Sequence, residues 1–453
     1  MKRCAVLTLL FFSLVPGAAE VAPAGGPAAD PPQAPAGKTV LCLTEAQRVA
    51  MLDHPSLRAA GARVRQAYAT ELRLRAGYWP QLQVVAGIDQ PLSLGQDGED
   101  ESPLFSASVQ GSWLLFDGLV REYALLAARS DRLGTEAASG EAFRLLRRAV
   151  SQAYFAALLA QLRVEIADQD TTFNQQLLDL ATKRLAKGMA SRSEMLNFEI
   201  RTGDAERVLL ESRRNLAEAL ALLEVLLCKR KRLRVGTTEL ELPQQPVPPT
   251  GEERLRLDLA HALAHRPGLL AREEAIQSAR AAVGAEKGSR WPRVEAVAAY
   301  ALDRENSPRF SHPRDASASV GIQIVWDVFD GGARRQRIAG AEAVVLEQLA
   351  EYQDAVLGVA GELRQLHRRL DYEQQLVARQ KKTLAAAEED RRLVLALYKG
   401  GHVAVTRLNE VQKDFVHSSE RLAVHQILWQ QAIEELSIAI DSGTRLPAGE
   451  ENP

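Results

Sequence analysis

The sequence lacks almost everything that usually marks an enzyme or a compact globular domain. Only three of its 453 residues are cysteine, and its eight histidines are scattered with no metal-ligand spacing. No phosphate-binding loop is present. Lys287-Gly288-Ser289 resembles the end of one, but the preceding strand and spaced glycine are missing, so it reads as a helix terminus. The chain is therefore read as non-enzymatic, without cofactor or metal. Aromatic residues make up 5% of the chain, and a composition rich in Ala, Leu, Arg and Glu favours extended helical packing over a globular core. A net charge of −2 gives no electrostatic ground for a nucleic-acid partner. Past the N-terminus no run is long and apolar enough for a membrane helix, so entry into a bilayer would require a β-barrel.

What is present begins with Met1-Lys2-Arg3, an apolar run from Ala5 to Val15, and Gly17-Ala18-Ala19. This is the pattern of a secretory signal peptide over 1–19, since the run is well short of the roughly 20 residues a membrane anchor needs. Cys4 is too early to accept lipid, and Thr39-Val40-Leu41 before Cys42 is a poor lipobox, which implies an unlipidated mature chain. Cys42 and Cys228 would then share an oxidising compartment. They read as two unpaired small core residues, with a disulfide as the alternative. Residues 20–42 form a leader rich in Pro, Ala and Gly.

From 43 to 235 the chain reads as one structural unit. A helix capped by Thr44 runs to Gly77 and stops at Trp79-Pro80. Leu82, Val84, Ala86 and Ile88 then alternate with polar or small residues, a loop spans Pro91 to Pro103, and Phe105 to Leu115 alternate again, which makes a hairpin with one apolar face. The hairpin ends in Trp113-Leu-Leu-Phe116-Asp117-Gly118. There Asp117 offers an acceptor to the first free N–H groups of a helix and Gly118 permits the change of path. No proline follows until well past Lys187, and apolar spacings of three and four predict a helix of about 70 residues, on the order of 105 Å. Gly188 ends it, and a return helix capped by Ser191 or Ser193 runs to Cys228. The basic run Lys229 to Arg232 reads as solvent-facing cations at a helix C-terminus. Residues 236–253, with four prolines, are a linker.

The unit from 254 to 440 repeats the first, and 441–453 is a short tail. Pro55 recurs as Pro267, Pro80 as Pro292, Gly188 as Gly400 and Asn197 as Asn409, each 212 residues on, while Asp117 recurs as Asp330 at 213. Duplication is the economical account. The second hairpin alternates through Val294 to Leu302 and Ala318 to Val328. A second long helix then spans 332–398, with a return over 403–440. Each strand is close to the 9–11 residues that cross a bilayer when tilted, and Trp113, Trp326 and Tyr300 suit an aromatic girdle. A small soluble sheet on helices shows the same alternation. Four strands cannot close a barrel, so a membrane barrel would have to be shared between subunits.

This duplicated order of helix, Trp-Pro stop, strand hairpin, Phe-Asp-Gly, long helix, glycine turn and return helix resembles the TolC-like outer-membrane efflux protein family, from about Leu43 to Ile440. The resemblance implies a mainly α fold with a membrane β-barrel portion. In a homotrimer, twelve strands would form one barrel in outer-membrane lipid, continued by a periplasmic α-helical barrel. It implies a passive export conduit working with a periplasmic adaptor (membrane fusion protein) and an inner-membrane transporter. The helix-hairpin turns would be the adaptor-contact tips: Lys187, Gly188, Met189 and Ala190, and Lys399, Gly400, Gly401 and His402. The periplasmic entrance would lie near Thr406, Asn409 and Glu410; the family's acidic ring is poorly matched here, and Glu410 reads more readily as a solvated helix charge. The alternative to a conduit is a soluble periplasmic coiled-coil scaffold or adaptor.

Overall fold

The computed structural model describes residues 39–90, 103–228, 233–243, 245–305, 307–310 and 313–440. The signal segment, the leader up to residue 38, most of the first hairpin loop, the basic run at 229–232 and the C-terminal tail lie outside the described residues. The first unit contains β1 (Thr39–Leu41), α1 (Leu43–Asp53), α2 (Pro55–Ala76), β2 (Gln81–Asp89), β3 (Leu104–Phe116), α3 (Val120–Ala186) and α4 (Arg192–Leu226). After β4 (Thr238–Leu240) the second unit contains α5 (Glu252–His265), α6 (Pro267–Gly288), β5 (Arg293–Glu305), β6 (Ala316–Val325), α7 (Ala333–Lys399) and α8 (Val405–Ile440). The duplication is metrical. α2 and α6 each have 22 residues, α3 and α7 each have 67, and α4 and α8 have 35 and 36.

The expected single helix from Thr44 to Gly77 is two helices. Proline has no N–H and pushes the preceding residue out of the α region, and His54 is accordingly extended (φ −67°, ψ 132°). Its Nδ1 accepts the Ser56 N–H at 3.2 Å and caps the second helix. Thr44 is not a cap, because Cys42 holds that position and makes no side-chain capping bond. The leader and the linker each contribute a strand: β1 and β4 pair in parallel, with Leu41 opposite Leu240. Over this small sheet lies a core of Leu41, Leu146, Val150, Phe155, Leu158 and Leu223. The fully buried Tyr154 hydroxyl lies at hydrogen-bond distance from two carbonyls, those of Leu41 (2.8 Å) and Glu241 (2.6 Å), tying α3 to both strands. Cys42 and Cys228 are free thiols, half-buried rather than core residues.

The four longer strands form one antiparallel sheet in the order β2-β3-β5-β6. Trp326 and Val328 were expected to continue the last strand, but β6 stops at Val325. Its only neighbour, β5, begins opposite at Arg293, so nothing is available for the later residues to pair with.

At both strand-to-helix junctions the same bonds recur. Trp113 Nε1 donates to the Tyr78 carbonyl and Trp326 Nε1 to that of Arg290, each at 3.1 Å. Asp117 Oδ2 accepts the Arg121 N–H at 3.0 Å, and Asp330 Oδ2 accepts that of Arg334 at 2.7 Å. The aspartates do satisfy free helix donors, though from outside the cap position, which Leu119 and Gly332 occupy in left-handed conformation. The Arg334 N–H, aided by the Gly332 N–H and against the opposing effect of burial, holds the Asp330 carboxyl below its usual range. Gly118 has φ +73°, and a Cβ there would stand 2.2 Å from the Gly288 carbonyl oxygen; no side chain fits.

Midway along the helices, Glu362 of α7 accepts from Arg148 of α3 and from Arg266 at the head of α6, both at 2.8 Å. Burial pushes its carboxyl up, but the bond and charge of Arg266, with Arg148 and Arg144, overcome this and hold it below the usual carboxylate range. A carboxyl with a depressed folded-state pKa stabilises fully above its unfolded value and loses that contribution as pH falls through the folded value. Glu362→Gln is therefore expected to cost about 1–3 kcal/mol near neutral pH and progressively less in the acid range, measured by denaturant unfolding across pH. Tyr154→Phe removes the buried hydroxyl that joins α3 to the carbonyls of Leu41 and Glu241 and is expected to cost about 1–3 kcal/mol near neutral pH in the same assay.

Candidate functional site

Alternation places every residue of one sheet face by register. Val84, Val109, Tyr300 and Ala318 lie in one cross-strand row, and Leu82, Gly111, Ala298 and Val320 in the next. This face is apolar except for Arg304, which lies beside Phe105 and Ile88 at one end, and much of it is exposed, with Val320 at 89%. The opposite face carries Gln83, Gln110 and Ala299, then Gly87, Ser106 and Asp303. Strands β2 and β6 have one neighbour each, so both outer edges hold unpaired backbone groups. Among the described residues no helix is long and apolar enough to cross a membrane.

At the far end of the long helices the two turns close by the same geometry. Met189 N–H donates to the Arg184 carbonyl and Gly188 N–H to that of Leu185; His402 donates to Leu397 and Gly401 to Tyr398. These are paired Schellman closures, with Gly188 at φ +71° and Gly401 at φ +78°. The left-handed residue of the second turn is thus Gly401. Gly400 is right-handed, so the turns correspond at an offset of 213 rather than 212. Ser191 Oγ accepts the Glu194 N–H at 3.1 Å and is the cap; Ser193 is not.

The turns are pinned to one another. Tyr398, 2% exposed, donates its hydroxyl to the Glu194 carboxylate, and Arg184 Nη1 donates to the Tyr398 carbonyl at 3.2 Å. Phe198 meets the Tyr398 ring edge-on at 6.0 Å, over a core of Leu177, Ala181, Val394, Leu408 and Val411. Burial and the Glu194 carboxylate together push the Tyr398 hydroxyl well above its ordinary pKa. Lys187, Gly188, Met189, Lys399, Gly400, Gly401 and His402 are exposed on this single platform, while Ala190 is half-buried. A groove of about 330 Å³ runs beside it, with Phe173, Leu177, Leu180 and Leu395 as floor and Lys183 and Lys399 on its rim. The Tyr398–Glu194 clasp was not anticipated. Its only trace in sequence is a tyrosine at the end of an apolar stripe.

Thr406 and Glu410 are exposed just beyond the turn, but Asn409 is not available to an entrance. It is 7% exposed and donates to Asn197 Oδ1 at 3.0 Å, so the two asparagines matched by the repeat join α8 to α4. Glu410 accepts from Arg407 at 2.8 Å, and Arg407 also bonds Asp390 at 3.0 Å, so one cation is shared between two exposed carboxylates. Arg391 of α7 lies 3.6 Å over the Phe415 ring and 5.4 Å from that of Phe173, a stack that spacing alone does not predict.

The family model for the outer membrane efflux protein matches residues 48–228 and 259–440. Protein CyaE of Bordetella pertussis is 29% identical over 317 residues, 68% of this chain. The alkaline protease secretion protein AprF of Pseudomonas aeruginosa is 24% identical over 305 residues, 64% of this chain. The chain spans 65% and 63% of the length of those relatives, under two thirds. The crystal structure of CusC superposes with a TM-score of 0.76 at 20% identity, covering 88% of this chain and 92% of that one.

Tyr398→Phe removes the clasp donor while keeping the ring. It is expected to raise amide hydrogen exchange about 10-fold or more across both turns, since a bond to a charged acceptor contributes about 1.5–3 kcal/mol, and to leave exchange at the junctions near Trp113 and Trp326 unchanged.

Proposed function

The chain belongs to the outer membrane efflux protein family, and from that premise we propose that it is the outer-membrane channel of a tripartite efflux or secretion system. It is a passive conduit and carries no catalytic site. Three chains supply four strands each to a twelve-stranded barrel in outer-membrane lipid, and their long helices continue it as an α-helical barrel in the periplasm. The mature chain is exported by the cleaved segment 1–19. It comprises the repeats 43–235 and 254–440, the link between them and a terminal tail.

The observation that carries this reading is the sheet. One face is apolar but for Arg304 and is largely exposed, both its edges are open, and it feeds directly into two 67-residue helices. That face and those edges are unfavourable in water, whereas lipid against the face and edge-to-edge closure, with the polar face toward water, suit all of them. A soluble periplasmic scaffold would leave Val84, Ile88, Val320, Ile322 and Ile324 in water.

The platform built from Lys187 to Ala190 and Lys399 to His402 is the adaptor-contact tip, and Thr406 and Glu410 lie near the entrance. With Arg407 shared between Glu410 and Asp390, a partial negative charge remains, and the entrance is expected to have a modest cation preference. The relatives' names divide between alkaline protease secretion and cation efflux, so cargo follows from the inner-membrane transporter that the adaptor couples.

Two measurements test this. The protein should fractionate with the outer membrane and give an ohmic conductance in planar bilayers. Recovery as a soluble monomer without conductance would sink the reading. Lys187→Glu with Lys399→Glu should cut adaptor crosslinking and export at least 10-fold while conductance persists.

A further inference from the structure

The second repeat sets a carboxylate where little water reaches it and gives it a single partner. Glu373 of α7 has a side chain 9% exposed, and among the described residues its one bond is to His425 Nδ1 of α8, at 2.8 Å. A contrast lies six residues earlier on α7. There His367 Nε2 stands 3.0 Å from one oxygen of Asp258, a buried carboxylate of α5, whose other oxygen takes Arg254 Nε at 3.0 Å. Arg254 gives Asp258 a full positive charge throughout the physiological range, whereas Glu373 has only an imidazole.

The other charged groups on the helices packed here are engaged or turned away. Arg369, one turn back on α7, bonds Glu435 of α8, and Arg254 of α5 is taken by Asp258. Gln152 of α3 bonds Glu435 and Gln412 of α8 bonds Asp170, which sets His425 level with the stretch of α3 around Leu159 and Arg163. Arg163 is exposed, as is Arg421, one turn from His425 on α8. Asp371 is two residues from Glu373 and therefore lies on a different face of α7.

We propose that Glu373 and His425 hold one proton between them and form a pH-operated fastening of α8 to α7, firm in mild acid and loosened as the solution turns alkaline. With the proton, the pair is an imidazolium on a carboxylate or an imidazole on a carboxylic acid, and either arrangement is neutral overall and hydrogen-bonded. Without it, a buried anion is left with one neutral donor. Water relieves that state only if α8 parts from α7. Imidazole is the side chain whose charge changes between about pH 5 and 8, and the closed pair keeps a proton that the opened, hydrated pair releases more readily. Low pH therefore favours closure and rising pH favours opening.

The fastening belongs to the second repeat alone. By the duplication Glu373 corresponds to Ala160, which is buried, and His425 to Arg213, which is exposed and paired with Asp168. The contact of α3 with α4 is thus indifferent to the proton that governs the contact of α7 with α8. The inference stands whether or not the chain is a conduit.

Hydrogen exchange of the purified full chain in detergent, corrected for the intrinsic effect of pH on exchange, reads the fastening directly. Between about pH 5.5 and 8, exchange across 367–380 and 418–432 should rise about 10-fold or more, since release of one proton shifts an opening equilibrium by up to about 10-fold per pH unit. The matching stretches 154–167 and 206–220 should change by less than about 2-fold. Glu373→Gln, neutral at every pH, and His425→Lys, charged throughout that range, should each abolish the rise and keep α8 protected in the alkaline sample. No rise in the wild-type chain, an equal rise in both repeats, or a rise that survives either substitution overturns the proposal.

Discussion

The constraint on which the rest depends is the unpaired backbone at the two outer strands. Four strands present one exposed apolar face, and their outer edges carry N–H and C=O groups with no partner in the chain. In water the face is costly; in lipid the edges are. Each strand hairpin is welded to a long helix by an indole-to-carbonyl bond and an aspartate at the helix start, so whatever satisfies the sheet also fixes where the helices run. The glycine at the first weld has no room for a side chain, so sheet and helix meet at a fixed angle.

Much of this fold is legible in the sequence because it is periodic. Alternation over Leu82 to Leu115 and Val294 to Ile324 can arise only from strands with one buried or lipid-facing side, and a proline-free stretch with apolar spacing of three and four can only be helix. Repetition then supplies a second reading of every element. What escaped is local and aperiodic. The break at His54 follows from Pro55, yet the helical pattern on both sides hides it. The β1–β4 pair has three residues per strand and is held by Tyr154 from elsewhere in the chain, so no window of sequence contains its cause.

The candidate site is legible to a different degree. Glycines at the turns announce a reversal, but whether Gly400 or Gly401 takes the left-handed conformation depends on which carbonyl each N–H reaches. The asparagines matched by the repeat look like equivalent surface residues. In the fold they find each other, and Asn409 leaves the surface while Asn197 stays exposed. Arg184, Glu194 and Tyr398 come from three helices, and long-range contacts of this kind carry no spacing signal at all.

The divergence of the two repeats is as informative as their likeness. α6 carries Gly268, Gly284 and Gly288 where it meets α3 and lies between two long helices, whereas α2 offers Ser56, Leu72 and Ala76 at the equivalent places and packs on only one. Glycine permits the closer approach and costs helix stability, which the enclosed position of α6 offsets through packing on both sides. The equivalent face of α2 keeps residues of better helix propensity and larger apolar area, Leu72 and Tyr68 among them. With Leu72 and Ala76 standing where α6 has glycine, the exposed face of α2 cannot be approached as closely as the face that α6 presents to α3.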